Sequence, residues 1–148
     1  MKSWIKWTAG TVCVFTGRGE FIEKYFETIR ELVARNFSVV AMDWRGQGLS
    51  ARELADPAKG HIDDFSMFER DLDALHRQVL QFLCPRPWFA LAHSMGAAIL
   101  LSQARNGASP FERIVLTAPM IEIAGLGANP LVRGATFDAA GSRNTDSP

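Results

Sequence analysis

The segment Trp88-Phe89-Ala90-Leu91-Ala92-His93-Ser94-Met95-Gly96 decides the fold. Its first five residues form a short apolar run typical of a buried strand, and the residues from Met95 to Arg105 favour a helix that is apolar nearly all round. Ser94 therefore falls where a strand ends and a helix begins. A serine on such a strained turn projects its hydroxyl above the sheet, and small residues must lie two before and two after it, as Ala92 and Gly96 do. The pattern predicts a nucleophile elbow with Ser94 as the nucleophile.

Strand and helix patterns alternate on both sides of the elbow. Further strands are predicted at Thr11–Phe15, Phe37–Met42 and Arg113–Thr117, and helices at Glu20–Arg35 and from Ser66 to Phe82. Strands interleaved with helices of this length predict right-handed βαβ units and an α/β fold: a mostly parallel sheet of about four strands with flanking helices in three layers.

Several finer expectations concern single elements. The continuous apolar run Phe37–Met42 is typical of a strand covered on both faces. Ser66 with Glu69 three residues later predicts a capping box. The helix behind it is expected to bury one face, made of Phe68, Leu72, Leu75, Val79 and Phe82.

Composition limits the class of protein. A chain of 148 residues suits one domain, and 16 basic against 16 acidic residues leave no basic field for nucleic acid. No apolar stretch is long enough to span a bilayer, and a cytoplasmic location is the default expectation. Cys13 and Cys84 show no metal-binding or redox spacing, so we expect two reduced, buried thiols and no metal.

A resemblance to a known family follows from four segments in order. These are the run Phe15-Thr16-Gly17-Arg18-Gly19-Glu20-Phe21, the loop Asp43-Trp44-Arg45-Gly46-Gln47-Gly48-Leu49-Ser50, the segment Gly60-His61-Ile62-Asp63-Asp64-Phe65, and the elbow from Ala92 to Gly96. The series resembles the lysophospholipase and monoacylglycerol lipase branch of the α/β hydrolases, often labelled serine aminopeptidase S33-like, and bacterial lysophospholipase L2-type sequences within it. The resemblance covers about Thr11 to Leu126.

The resemblance implies a carboxylic ester hydrolase with an acyl-enzyme mechanism. Ser94 would attack the ester carbonyl, and the backbone N–H groups of Arg18 and Met95 would hold the oxyanion. It implies a lipid or small ester as substrate, peripheral contact with a membrane, and no cofactor. It also implies the strand order Phe37–Met42, Thr11–Phe15, Trp88–Ala92, Arg113–Thr117. Hydrolysis of a peptide or another small ester is the related alternative.

The sequence carries no credible partner for this serine. No histidine follows Ser94, whereas this fold orders its triad as serine, acid, histidine, and His61, His76 and His93 are expected to be structural. Asp138 and Asp146, the aspartates after Ser94, lie in an unpatterned stretch and are not accepted as the acid.

We therefore expect a partial hydrolase core over residues 1–126, an irregular tail over 127–148, and truncation before the acid and histidine. A catalytically inactive fragment, or a module that completes a sheet with another chain, is the alternative. Self-association through exposed sheet edges is expected in either case.

Other residues have structural interpretations. Asp43 and Arg45 are expected to fix their own loop by hydrogen bonds, and Asp71 and Asp73 to be solvated on an outward helix face. The four tryptophans, Trp4, Trp7, Trp44 and Trp88, are expected in the core or at its rim.

Overall fold

The computed structural model describes residues 8–56, 59–107 and 109–121. In this part of the chain four parallel strands form one sheet in the order β2-β1-β3-β4. The strands are β1 (Thr11–Phe15), β2 (Ser38–Met42), β3 (Trp88–His93) and β4 (Arg113–Thr117). The predicted fold class and strand order are confirmed, and the predicted strand bounds differ from the observed ones by no more than a residue.

The helices lie between the strands, as the alternating pattern predicts. A 3₁₀ turn at Ile22–Tyr25 leads into α1 (Phe26–Ala34); α2 (Ser66–Leu75) continues through a π-helical turn, His76–Leu80, into α3 (Gln81–Leu83); and α4 (Ser94–Arg105) follows β3 directly. The segment Cys84-Pro85-Arg86-Pro87 ends α3 because proline cannot extend the helical hydrogen-bond ladder.

The main hydrophobic core lies on one face of the sheet. Cys13, Phe15, Ala90 and Ala92 point into it, against side chains of α2 and α4. Helix α1 contacts β2 but contributes no residue to this cluster, which places α1 on the other face. The sheet between two helical layers is the predicted three-layer arrangement.

The prediction of which residues form the buried face of the second helix is wrong at the end of that helix. Phe68, Leu72 and Leu75 are buried, but the side chain of Phe82 is 78% exposed and Leu80 is fully buried in its place. The π-helical turn explains the change, because one wider turn shifts the angular position of every later residue. A sequence pattern based on 3.6 residues per turn cannot anticipate this insertion.

Two other expectations need correction. The strand β2 is half-buried along its whole length rather than covered on both faces, because it lies at the edge of the described sheet. Ser66 forms no capping box: Asp64 Oδ1 accepts the Ser66 N–H at 2.7 Å, while Glu69 accepts the hydroxyl of Ser102 instead. Glu69 therefore connects α2 to the neighbouring helix α4 and does not cap its own helix.

Several predictions fall outside the described residues. Trp4, Trp7, Asp138, Asp146 and the predicted tail 127–148 lie there, so the domain boundary at residue 126 stays a prediction. Within the described residues, no helix has the length and apolar character needed to cross a membrane.

Candidate active site

The predicted elbow is present between β3 and α4. His93 is extended, with φ −115° and ψ 141°, and Ser94 then takes the left-handed value φ +50°. A non-glycine residue held there costs about 1–3 kcal/mol, a strain that persists only where the surroundings enforce it. A Cβ on Gly96 would lie 2.6 Å from the carbonyl oxygen of Thr16, and Ala92 is completely buried. Both flanking positions therefore need the small residues that the sequence supplies.

The turn that follows β1, Thr16 to Gly19, packs directly against the elbow. A Cβ on Gly17 would lie 3.1 Å from Ser94 Cβ and 3.2 Å from His93 Cδ2. Parallel register brings these segments together, because Phe15 is paired with Ala92 at the carboxyl ends of β1 and β3. The geometry sets the backbone of this turn beside the serine.

Side chains from two other segments hold the backbone of this turn. Trp44 Nε1 donates to the carbonyl of Thr16 at 2.9 Å, and Gln47 Nε2 donates to the carbonyl of Gly17 at 3.1 Å. The Gly17 N–H donates to Glu20 Oε2 at 2.7 Å. The Arg18 N–H has no acceptor among the described residues. Arg18 thus carries a backbone donor without an acceptor in the described part of the chain, whereas the Gly17 N–H and the carbonyls of Thr16 and Gly17 are engaged.

Met95 directly follows the serine, in the first turn of α4. It is 5% exposed, and first-turn N–H groups have no acceptor within their own helix. The partial positive charge of the helix N-terminus favours an anion there. The carbonyl of Ser94 is already engaged, accepting the N–H of Met120 at 3.0 Å.

Glu20 is the acidic group that faces the turn. Burial acts to raise its pKa, but hydrogen bonds from Tyr25 and Gly17, with the charges of His93 and Lys24, hold the pKa below its ordinary value. Tyr25 donates its hydroxyl to Glu20 Oε2 at 2.7 Å. Glu20 is therefore an anionic hydrogen-bond acceptor at neutral pH, not a proton donor.

The three histidines have other partners, in agreement with the structural interpretation. The His93 Nδ1 lies 3.1 Å from the Thr117 hydroxyl, and the His76 ring packs edge-on against Trp88 at 5.3 Å. His61 Nε2 lies 2.8 Å from Asp63 Oδ1.

The loop after β2 is held by hydrogen bonds of both Asp43 and Arg45, as predicted. Asp43 accepts the backbone N–H of Ile22 at 2.9 Å and that of Leu49 at 3.0 Å. Arg45 donates two hydrogen bonds to the carboxylate of Asp71 on α2, at 2.8 and 2.5 Å, and so anchors the loop to this helix. The expectation that Asp71 is solvated is therefore wrong, because it ties α2 to this loop.

Both cysteines are free thiols, as expected, but only Cys13 is buried, whereas Cys84 is half-buried. Burial raises the pKa of Cys13 to about 12, so this thiol is not a nucleophile. One group in the described residues could offer ligands to a metal: Glu53, His61 and Asp63, all exposed. The imidazole of His61 is already hydrogen-bonded to Asp63, and the carboxylate of Glu53 lies 3.9 Å from the guanidinium of Arg45, so these ligand atoms have protein partners.

Sequence reasoning missed the roles of Gln47, Glu20 and Trp44 around the turn. The signal for Gln47 was present, because a polar residue between two glycines, Gly46 and Gly48, is set in a loop that follows a neighbouring strand. What the residues alone do not give is the direction of the side chain. That direction depends on the positive φ of both flanking glycines, +77° and +50°.

The strand, left-handed serine and buried helix together define the α/β-hydrolase class. The chain belongs to the family described as serine aminopeptidase, S33, whose model matches residues 7–139. This match extends past residue 126, where the resemblance found from the sequence ends.

Relatives and solved structures agree with this class. The chain is 41% identical over 115 residues to lysophospholipase L2 of Escherichia coli, and 33% identical over 111 residues to human monoglyceride lipase. These matches cover 76% and 74% of this chain but 33% and 35% of the relatives, so the chain spans about a third of their length.

Two solved structures extend the comparison to three dimensions. A thermostable carboxyl esterase from Bacillus coagulans matches with a TM-score of 0.62 at 25% identity, over 76% of this chain and 36% of that one. A monoacylglycerol lipase from Paleococcus ferrophilus shares the fold, with a TM-score of 0.58 at 20% identity over 90% of this chain and 47% of that one.

Proposed function

We propose that this chain carries the nucleophile and the oxyanion donors of a carboxylic ester hydrolase of the lysophospholipase or monoacylglycerol lipase type. One observation carries the proposal: the turn Thr16 to Gly19 packs against a serine held at φ +50°, with 3.1 Å between Ser94 Cβ and a Cβ built on Gly17. That contact supports a role for the backbone of this turn in binding an oxyanion formed at Ser94.

The chemistry follows from these groups. The Ser94 hydroxyl attacks an ester carbonyl, and the carbonyl oxygen gains negative charge as the carbon becomes tetrahedral. The N–H groups of Arg18 and Met95 donate to that oxygen, and the N-terminus of α4 adds a favourable potential. Collapse of the intermediate releases the alcohol and leaves an acyl-serine, which water then hydrolyses.

The substrate class in this proposal is a lipid ester. Lysophospholipase and monoglyceride lipase are the names of the relatives that match over about three quarters of this chain. An ester of this kind is presented at a lipid surface, so peripheral membrane contact and a cytoplasmic location belong to the same proposal.

The second candidate is a non-catalytic module that completes its sheet with another chain. One observation favours it: β2 and β4 each pair on one side only within the described residues. In this case Ser94 would be an inherited elbow without reactivity.

Covalent labelling with a fluorophosphonate tests the proposal. If oxyanion donors are present without a general base, labelling of Ser94 should be slow and stoichiometric. The labelling rate should keep rising with pH, because no histidine deprotonates near neutral pH to make the rate level off there. Ser94→Ala should abolish the label, whereas Ser102→Ala, on the same helix, should keep it. Labelling spread over many serines, or none at Ser94, favours the non-catalytic candidate.

A further inference from the structure

The side chain of Gln47 forms two hydrogen bonds to the turn beside Ser94. Its Nε2 donates to the carbonyl of Gly17 at 3.1 Å, and its Oε1 accepts the N–H of Gly19 at 2.5 Å. The two contacted groups lie on either side of Arg18. A single carboxamide thus joins both peptide units that flank the Arg18 Cα.

Because the peptide unit is planar, the hydrogen bond from Gln47 to the Gly17 carbonyl determines the direction of the Arg18 N–H. The carbonyl of Gly17 and the N–H of Arg18 belong to one rigid trans peptide unit, in which they point in opposite directions. Fixing the carbonyl toward Gln47 therefore fixes the Arg18 N–H away from Gln47. That N–H is the donor that has no acceptor among the described residues.

The second bond restrains the other side of Arg18. Gly19 has φ +69° and no atom within 4 Å of a built Cβ, so little packing holds it. Glycine in open space can rotate its peptide at low cost. The acceptor on Gln47 supplies the restraint that packing does not.

The backbone of Gln47 is itself held by hydrogen bonds within its loop. Gln47 is 8% exposed, and its backbone N–H donates to the carbonyl of Trp44 at 3.0 Å while its carbonyl accepts the N–H of Ser50 at 3.0 Å. Asp43 and the Arg45–Asp71 pair hold the rest of the loop. The carboxamide is therefore positioned before any substrate arrives.

We propose that Gln47 is a positioning residue for the oxyanion donor, which it aims by holding the two peptide planes around Arg18. The inference rests on the proposed function, since it gives the Arg18 N–H an oxyanion to bind. Gln47 acts through the backbone and does not touch the reacting atoms.

Gln47→Met tests this, because it keeps the length of the side chain and removes both hydrogen bonds. Losing an oxyanion donor outright costs about 10²–10³-fold in rate, so misaiming one should slow fluorophosphonate labelling of Ser94 by about 10- to 100-fold. Gln78→Met, the same change at an exposed glutamine, is the control and should label at the normal rate. Equal labelling of the two variants overturns the inference.

Hydrogen exchange of the full chain, read residue by residue, separates positioning from a loss of fold. Exchange at Gly19 should speed up in Gln47→Met, while the strand amides of β1 stay protected. Labelling should slow exchange at Arg18 in the unmodified chain and do so less in the variant. Unchanged exchange at both amides contradicts the inference.

Gln47→Glu keeps the proposal testable if the methionine variant does not fold. A carboxylate still accepts the Gly19 N–H but cannot donate to the Gly17 carbonyl, so Gly19 should stay protected while labelling slows. Absence of Ser94 labelling in the unmodified chain contradicts the proposed function instead, and Gly19 exchange then still reports whether Gln47 holds the turn.

Discussion

The inner and outer strands of the sheet differ in what surrounds them. All residues of β1 are buried and β3 alternates between buried and half-buried positions, whereas β2 is half-buried throughout and β4 alternates between exposed and half-buried positions. The candidate site is built on β1, β3 and the segments that directly follow them. The outer strands frame the site without contributing Ser94 or the turn beside it.

This contrast shows which parts of the sheet find their packing and hydrogen-bond partners within the described residues. Around the turn after β1, the backbone groups are held by Trp44, Gln47 and Glu20. On the edge strand β4, the side chain of Val115 is 57% exposed. The centre of the sheet has the partners it needs, while its edges present unpaired strands among the described residues.

The largest expected effect is on turnover. The chain by itself should show esterase activity on p-nitrophenyl butyrate reduced by about a million-fold from that of an intact triad, because only the proposed oxyanion donors and substrate binding would contribute. Steady-state hydrolysis measured beside Ser94→Ala tests this. Ordinary esterase turnover that disappears in Ser94→Ala would mean that a histidine we regard as structural acts as the base.

Stability should respond next most strongly at Leu80, which the π-helical turn brings into the core. Leu80→Ala should lower the free energy of unfolding by about 2–5 kcal/mol, since a fully buried leucine leaves a cavity. Phe82→Ala, at a position 78% exposed, should change it little. Denaturant unfolding of both variants is the measurement, and a reversed order would restore the regular helical pattern that the sequence predicts.

The contact between turn and elbow should be nearly as sensitive. Gly96→Ala places a methyl 2.6 Å from the Thr16 carbonyl oxygen, a backbone atom that cannot yield easily, so a loss of about 1–3 kcal/mol is expected. Gly60→Ala is the matched control, because its built Cβ meets nothing closer than 3.8 Å. Equal stability of the two variants would show that the turn and the elbow are not in contact.

The unpaired edges of the outer strands should cause copies of the chain to associate. At low micromolar concentration the chain should sediment as oligomers, and Val115→Lys should shift it toward the monomer because charge on an edge strand opposes pairing. Leu49→Lys, at a loop position 90% exposed, should have less effect. A cooperative, stable monomer of the unmodified chain contradicts this prediction.

The sequence predicts the strands and the elbow well because both depend on local signals. Short apolar runs, glycines and a serine between small residues appear directly in the chain. The contacts that sequence reasoning missed are long-range: Gln47 reaches the turn across 30 positions, and Arg45 reaches Asp71 across 26. Side-chain direction over such separations follows from the packing of loops, which periodicity does not describe.

The smallest expected effect is a pH dependence centred on Glu20. The pKa of its folded form lies below the ordinary value of 4.5, so its ionised form stabilises the fold above that value and this contribution disappears as pH falls through the folded pKa. Glu20→Gln should therefore flatten the acid side of the stability profile, by about 2 °C or less in Tm between pH 5 and pH 3. Glu27→Gln, at an exposed position on α1, is the control and should leave the profile unchanged. Thermal unfolding followed by circular dichroism across this range decides the matter. If Glu20→Gln and the unmodified chain lose Tm in parallel, the carboxylate does not hold the Gly17 N–H, and the turn depends on Trp44 and Gln47 alone.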